Sequence, residues 1–450
     1  MHKFAVVLVF AIGCSSPSSS GNDGTGGASG GSSGRGGSGS GGNVSTGTGG
    51  SSPQGGSGGT ASTGGSSGGS AGTGTGGGSA SGGGSGGAQN TGGASGGAGG
   101  AASDAATGMD TGGSPGTGGM IPPLTGNAFV YAAGAEFGGA NLTTFKFDLG
   151  TGALTRVGAG TAAGAGPDYL SIHPSGKFLY VNNETGSGRV TAMAIGPDGT
   201  LTKLNDAGSG GGGPAHVWVH KSGKWAFSAN YNDGKVGAVS IGDDGKLGTA
   251  LPGVNAGGEA HMVLDDGQSG NFVFVPCAAA GHVAMFKFDQ TSGALTANSP
   301  ATIASASRPR HMAFNPNGKF AYVTHEGKGA LTTFDYDSAT GLLSAPKDTT
   351  SPGDGAHVVV HPSGNFVFHI ARGGGAITVY KVAPDGALSM ASSAQGGGYD
   401  ATLTKDGKYL ISVSGSSVKV YSINPTTGAL TSSGSGQAVN SSQSVAVTVL

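Results

Sequence analysis

Side chains able to move protons or hold ligands recur at a fixed distance from a repeated glycine. Seven positions before Gly176, Gly223, Gly318, Gly364 and Gly407 stand Tyr169, His216, His311, His357 and Asp400, and His261 stands nine before Gly270, where two extra residues enlarge the segment. Eight positions after the same glycines stand Glu184, Tyr231, Ala278, Glu326, Arg372 and Gly415, and Arg310 adjoins His311. Imidazoles, guanidiniums and carboxylates gathered in one place make a polar ligand pocket. The bland alternative is a set of polar groups that satisfy turn backbone or solvate an opening. Three histidines can also bind zinc, but the ligands must then lie about 2 Å from one ion, and residues on separate repeats of a wide ring seldom converge so tightly. No metal and no cofactor is expected.

The elements that carry these residues are legible in the repeats. SGKFLYV, SGKWAFS, SGNFVFV, NGKFAYV, SGNFVFH and DGKYLIS place their glycines at 176, 223, 270, 318, 364 and 407, spacings of 47, 47, 48, 46 and 43. A second phrase of the type TGALT or DGTLT recurs in phase seven times, with glycines at 152, 199, 245, 293, 341, 386 and 428. Each unit reads as four short strands, since β-branched and aromatic residues alternate between Gly/Asn/Asp turns. Four-stranded units of this length repeated radially predict an all-β, seven-bladed β-propeller. Asn127-Ala-Phe-Val-Tyr131 matches a second strand with no first strand before it, and Ser444-Val-Ala-Val-Thr-Val-Leu450 matches a first strand. The closing blade is therefore expected to be shared by the N- and C-terminal strands, which removes exposed sheet edges. In the antiparallel pair of first and second strands, residues equidistant from the turn lie opposite each other. Both polar series are thus expected at one end of the ring, near its axis. His173, His220 and His361, three residues before the turn glycine, are expected at the opposite end as turn residues.

The rest of the chain reads differently. Of 98 glycines in 450 residues, 45 lie between positions 21 and 120, whereas 41 of 46 charged residues lie beyond position 120. The Gly/Ser-rich stretch 15–120 cannot bury enough surface to fold and is expected to be a disordered tail, a tether with a root-mean-square reach of roughly 55 to 60 Å. Residues 121–450 are the expected propeller domain. Ala11-Ile12-Gly13-Cys14 follows a short positive start and an apolar run, as in a secretory signal. It resembles a bacterial lipobox, which implies a signal peptide over 1–14 and lipidation at Cys14. Ser15 in turn implies the outer membrane or cell surface of the envelope. A lipid anchor is then the only membrane contact. Cys277 is left without a partner. A formal net charge of −2 with both signs scattered offers no basic stripe for nucleic acid.

Tyr180-Val-Asn-Asn-Glu184, Gly213-Pro-Ala-His216, Ala229-Asn-Tyr231, Ala260-His261, Arg308-Pro-Arg-His311 with Asn315-Pro-Asn-Gly-Lys319, His325-Glu326 and Ala371-Arg-Gly373 resemble the propeller-type 6-phosphogluconolactonases. Those are seven-bladed lactonases related to fungal 3-carboxy-cis,cis-muconate lactonizing enzyme. The resemblance covers about residues 127 to 450. It implies a catalytic set of His261, Arg310, Glu326 and Arg372, in which Glu326 or His261 is a general base for water and the arginines bind a substrate anion and the developing oxyanion. Asn183, Glu184, His216, Tyr231, His311 and His357 are the expected substrate contacts at the same mouth, the expected partner is a small-molecule lactone or sugar-acid substrate, and the chain is expected to be a monomer. The sequence departs from the family pattern at Ala356-His357-Val358, at Ala371 in place of asparagine, at Tyr399-Asp400 in place of Pro-Arg, and at Cys277-Ala-Ala-Ala280. These changes predict weaker binding of a highly anionic ligand. Lactone hydrolysis is the leading expectation, a non-catalytic surface propeller binding a glycan or protein the second, and lactone formation by cycloisomerisation a third use of the same residues.

Overall fold

A computed structural model of the chain describes residues 121–136, 139–373 and 375–450. Cys14, the expected signal over 1–14 and the expected tether over 15–120 lie outside the described residues. Every element described is a β-strand. Six blades follow one another in sequence, over residues 167–208, 214–255, 264–304, 309–350, 355–395 and 400–432; we number them 1 to 6. In each, the strands pair antiparallel in chain order, with a further short strand in blade 2. Blade 7 is made of Ala128–Glu136, Gly139–Phe147 and Leu154–Ala162, completed by the C-terminal strand.

Ring closure follows the register expected from the chain ends: Val130 pairs with Val447, and Ala128 with Val449. One detail is added. Gln437–Val449 is a single long strand whose first part pairs with Gly415–Ile423 of blade 6 and whose second part is the first strand of blade 7. Blades 6 and 7 are therefore hydrogen-bonded into one continuous sheet.

Seven apolar clusters lie between neighbouring blades, one per interface, and the second strands supply residues to both sides. In blade 3, Phe272–Cys277 is buried throughout: Val273 and Val275 face blade 2, while Phe272 and Phe274 face blade 4. The two recurring phrases meet at these interfaces. The aromatic at the start of each blade's second strand covers the glycine of the second phrase in the next blade: Phe129 on Gly199, Phe178 on Gly245, Trp225 on Gly293, Phe272 on Gly341, Phe320 on Gly386, Phe366 on Gly428 and Tyr409 on Gly152. A Cβ at Gly293 would collide with the Trp225 ring, and its φ of +77° already favours glycine. Seven such contacts close on themselves around the ring.

The end opposite the polar series is also locked. His173, His220 and His361 reach the carbonyls of Gly223, Gly270 and Gly407 in the following blade at 2.9, 2.9 and 3.0 Å, and Asn315 reaches that of Gly364 at 2.9 Å. They are inter-blade turn ties.

Candidate active site at the channel mouth

The register fixes where the polar residues stand. Residues seven before the turn glycine pair with those six after it: His216 with Ala229, His311 with Thr324, His357 with Ile370, Asp400 with Val413. The turn centre lies just ahead of the glycine, so the residues eight after are not directly opposite the first series, as the simple count assumes. They lie two residues further out: Tyr231 N–H donates to Gly213 O at 2.8 Å, Glu326 N–H to Arg308 O at 2.9 Å and Arg372 N–H to Asp354 O at 2.8 Å. Both series share one end of the ring but form two tiers.

What separates the tiers is a β-bulge repeated in blades 1, 2, 4 and 5, where the first strand gains one residue against its partner. The bulge pairs are Asp168–Tyr169, Ala215–His216, Arg310–His311 and Ala356–His357. Bulges re-aim side chains beside active sites, and here Arg310 and His311 share one break in the ladder. In blade 3 His261 stands just ahead of the short first strand, held by its backbone N–H on Pro276 O at 3.0 Å. In the enlarged turn that follows that strand, the buried Asp266 carboxylate accepts from Gly270 N–H at 2.6 Å and from the Tyr336 hydroxyl at 3.0 Å.

The outer tier is an ion-pair cluster centred on Glu326. Its carboxylate accepts from Arg308 Nη2 at 2.7 Å and Nε at 3.2 Å on one oxygen, and pairs with Arg372 Nη2 through the other. Arg308 also pairs with Glu259 at 2.9 Å and is hydrogen-bonded to Tyr231, while Arg372 Nε lies 3.9 Å from Asp354. Burial alone would raise the Glu326 pKa, but Arg372 and the hydrogen bonds from both guanidiniums outweigh it and hold the carboxyl below its ordinary value. Glu326 is thus an ionised bracket for two arginines. Arg308 and Glu259 adopt left-handed backbone, φ 55° and 56°, whereas blades 1 and 2 place Gly166 and Gly213 at the position equivalent to Arg308. Strain of this kind persists where surrounding interactions hold it.

Arg310 links the tiers. It is buried, and its Nη1 donates to Ala356 O at 2.7 Å. Its charge acts on Asp168 and Glu184, both of which burial pushes to raised pKa values, with Glu184 adding to the shift at Asp168.

The inner tier is a cluster of rings, mostly edge to face, in which the histidines are buried and Tyr169 is half-buried, and the half-buried Tyr231 of the outer tier meets it at His261. Centroid separations are 4.0 Å for Tyr169–His216, 5.7 Å for His216–His311, 5.2 Å for His261–His311, 4.8 Å for His311–His357 and 5.6 Å for Tyr231–His261. Burial, reinforced by nearby Arg310, pushes the pKa values of His261 and His311 well below the ordinary imidazole value, and burial with His357 does the same to His216. The rings are neutral at pH 7. Both ring nitrogens of His216, Nδ1 of His261 and Nε2 of His311 are buried without a hydrogen-bond partner among the described residues. Unpaired buried polar atoms are costly, so they mark a place built to receive polar groups. Among the described residues no three His, Cys, Asp or Glu side chains are gathered as a metal requires. Cys277 is buried and free, its thiol pushed up to about 12 by burial.

The structure brings His216, His261, Arg310, His311, Glu326, His357 and Arg372 to this mouth, with Tyr231 and Glu184 at its rim. Asn183 differs: its amide donates to Ala163 O at 2.7 Å and accepts from Thr191 Oγ1 at 2.7 Å, so both its ends serve the scaffold of blade 1. Asp168, Glu259 and Arg308 are site residues that the structure adds. Asp168 stands in the same phase as Arg310, eight before the glycine, and that series identifies it; Glu259 and Arg308 enter only through the reach of their side chains.

A family model described as "Lactonase, 7-bladed beta-propeller" matches residues 129–447. The chain is 34% identical over 102 residues to a 6-phosphogluconolactonase of Erwinia tasmaniensis, covering 22% of this chain and 30% of that protein. It is 28% identical over 164 residues to a 6-phosphogluconolactonase of Serratia proteamaculans, covering 36% and 48%. The aligned part thus spans less than half the length of these relatives. Among solved structures, the Pseudomonas aeruginosa periplasmic gluconolactonase superposes with a TM-score of 0.64 at 21% identity, covering 72% of this chain and 99% of that one. A Lactobacillus plantarum protein gives 0.63 at 21% identity, covering 72% and 100%. At such identities these superpositions speak to fold alone. The fold, the closing blade and the extent of the family match agree: this chain belongs to the seven-bladed β-propeller lactonase family.

Proposed function

We propose that the protein hydrolyses a lactone at this channel mouth. The observation that carries the reading is the Arg308–Glu326–Arg372 bracket, with Arg310 beside it, set over buried neutral imidazoles. Fixed guanidiniums stabilise the charge that develops on a carbonyl oxygen during attack by water. Neutral imidazoles supply the proton acceptor. Glu326 suits the role of orienting both arginines better than that of base, because its charge is committed to them. His261 and His311 retain unpartnered ring nitrogens, Nδ1 and Nε2 respectively, within the ring cluster, so either imidazole is available for proton transfer.

The charge balance favours a neutral sugar or organic-acid lactone over a phosphorylated one. Arg308, Arg310 and Arg372 share the mouth with Glu259, Glu326, Asp354, Asp168, Glu184 and Asp400. Acids outnumber the arginines, which weakens the attraction for a dianion. The relatives' own names are consistent with lactone chemistry, one a 6-phosphogluconolactonase and another a gluconolactonase in the periplasm. The relation to muconate lactonizing enzymes belongs to the same reading, through His261, Arg310, Glu326 and Arg372.

The remaining parts of the proposal rest on sequence. Ala11-Ile12-Gly13-Cys14 supports a lipoprotein signal with lipidation at Cys14. Residues 15–120 then tether a propeller domain, residues 121–450, to the outer membrane or cell surface, and the protein works as a monomer. Full-chain protein assayed on glucono-1,5-lactone, 6-phosphogluconolactone and shorter γ- and δ-lactones tests the function. Hydrolysis above the uncatalysed rate, strongest with a neutral lactone and lost in Arg310→Ala, is expected. Equal rates with and without protein on every substrate contradict it and favour a binding propeller.

A further inference from the structure

His357 and Asp400 are two of the positions at which the sequence departs from the pattern of the family it resembles, and the structure places them beside His311. Asp400 Oδ1 lies 3.3 Å from His357 Nε2, and His357 Nδ1 lies 2.5 Å from His311 Nδ1. All three side chains are buried. The far nitrogen of His311, Nε2, has no partner among the described residues.

The protons on this chain of groups are determined by its anchored end. The Asp400 carboxylate accepts from Ala401 N–H at 2.9 Å and the Tyr169 hydroxyl at 3.1 Å on Oδ1, and from Val445 N–H at 2.9 Å and Ser444 Oγ at 2.9 Å on Oδ2. With donors on both oxygens, the group is an acceptor. His357 Nε2 lies 3.3 Å from this acceptor carboxylate, so the tautomer with its proton on Nε2 is the one the carboxylate favours, and Nδ1 then holds a lone pair. Two facing Nδ1 atoms at hydrogen-bond distance need one proton between them, so His311 carries it. His311 Nε2 is left with a lone pair.

We infer that Asp400, His357 and His311 form a relay whose working end, His311 Nε2, is the general base of the lactone hydrolysis. The inference rests on the hydrolase reading above for its reaction and on geometry for its tautomers. In the reaction His311 Nε2 takes a proton from water as the water oxygen bonds to the lactone carbonyl carbon. The carbonyl π pair moves onto oxygen, where the arginines stabilise it. On collapse of that intermediate the ring C–O bond breaks, and the imidazolium returns its proton to the departing ring oxygen. Lactone plus water gives the hydroxy acid, and His311 is restored. His357 and Asp400 act through His311: they are positioning residues that hold its tautomer and stabilise the transient imidazolium. An anchoring carboxylate does the same for the base of a serine-protease triad. The charged and titratable groups facing His311 are Arg310, His216, His261, His357 and Tyr169, with Asp400 behind His357. They favour a neutral ring at pH 7, as a base requires.

Two readouts test it on the full chain. In ¹⁵N-histidine NMR of the unmodified protein near pH 7.5, His311 is expected as the Nδ1–H tautomer and His357 as the Nε2–H tautomer. Asp400→Asn, whose amide donates where the carboxylate accepted, is expected to exchange both tautomers. In lactone assays, His311→Gln is expected to lower kcat about 10²- to 10⁴-fold, the range for a lost general base, with KM little changed. His357→Gln and Asp400→Asn are expected to lower kcat with the same KM pattern. A His311 protonated at Nε2 in the unmodified protein overturns the relay, as does full activity in His311→Gln. If the unmodified protein hydrolyses no lactone, the hydrolase reading falls, and the spectrum alone then decides the relay, with no need for a folded variant.

Discussion

Lowering the pH from 7 to 5 is expected to destabilise the folded protein steeply, because the account keeps several buried histidines neutral. Burial holds His216, His261 and His311 well below the ordinary imidazole pKa, and His325 and His369 down to about 4. In the unfolded chain each titrates near 6.5. A depressed folded pKa means stability that is fully present above about pH 6.5 and lost as pH falls toward the folded value. Each group contributes roughly 1.4 kcal/mol per pH unit where only the unfolded state is protonated. Five such groups, each about nine-tenths protonated in the unfolded chain at pH 5.5, amount to roughly 6 kcal/mol per unit. Asp168 and Glu184 have raised pKa values and work in the opposite sense; two carboxyls offset at most about 3 kcal/mol per unit. A net loss of about 3 kcal/mol per pH unit remains between pH 6 and 5, against a typical total of about 5–15 kcal/mol. Urea unfolding followed by fluorescence at half-unit steps from pH 7.5 to 5 measures the slope directly. A stability that stays flat or rises on acidification would refute the neutral buried histidines, and the lone pair on His311 with them.

Other substitutions probe the remaining parts. Arg308→Gly is expected to change unfolding free energy by less than about 1 kcal/mol, since glycine relieves the left-handed backbone while the lost ion pairs are partly exposed; lactone hydrolysis is expected to fall, and retained activity would remove Arg308 from the site. Gly293→Ala is expected to cost about 2–4 kcal/mol through its positive φ and the collision with Trp225, measured by urea midpoint. Asp168→Asn is expected to stabilise the fold at pH 7 and to leave it unchanged at pH 3, because a raised folded pKa contributes stability below the unfolded value and loses it as pH rises; comparing melting temperatures at the two pH values checks it.

The blade count and ring closure were legible because each repeat has to present an aromatic to a neighbour's glycine, and that contact leaves both residues in the sequence at constant phase. Phe178 and Gly245 are one instance, Trp225 and Gly293 another. The terminal strands could be paired because a first strand without its partner and a partner without its first strand complete each other, as Val447 and Val130 do. The histidine series was legible for a similar reason: position along a strand sets distance along the channel. Depth within the mouth was not. It depends on a bulge at Pro214–His216 and its counterparts, and an added residue in a ladder has no composition of its own. Asn183 illustrates a second limit, since its neighbours in the motif face the pocket while its own amide meets Ala163 and Thr191. Arg308 and Glu259 illustrate a third, because long side chains from neighbouring blades meet across the mouth, and strand phase does not record their reach. His357 and Asp400 read in sequence as losses from a family pattern; only the structure shows that they stand together beside His311.

The most direct test of the central claim is the rate of glucono-1,5-lactone hydrolysis by the full chain at pH 7.5, measured by acid release against the uncatalysed rate, beside Arg310→Ala and His311→Gln. The account predicts enzymatic turnover that both substitutions reduce by at least about 100-fold while the fold, followed by circular dichroism, is retained. Turnover that is absent in the unmodified protein, or equal in all three, would contradict it.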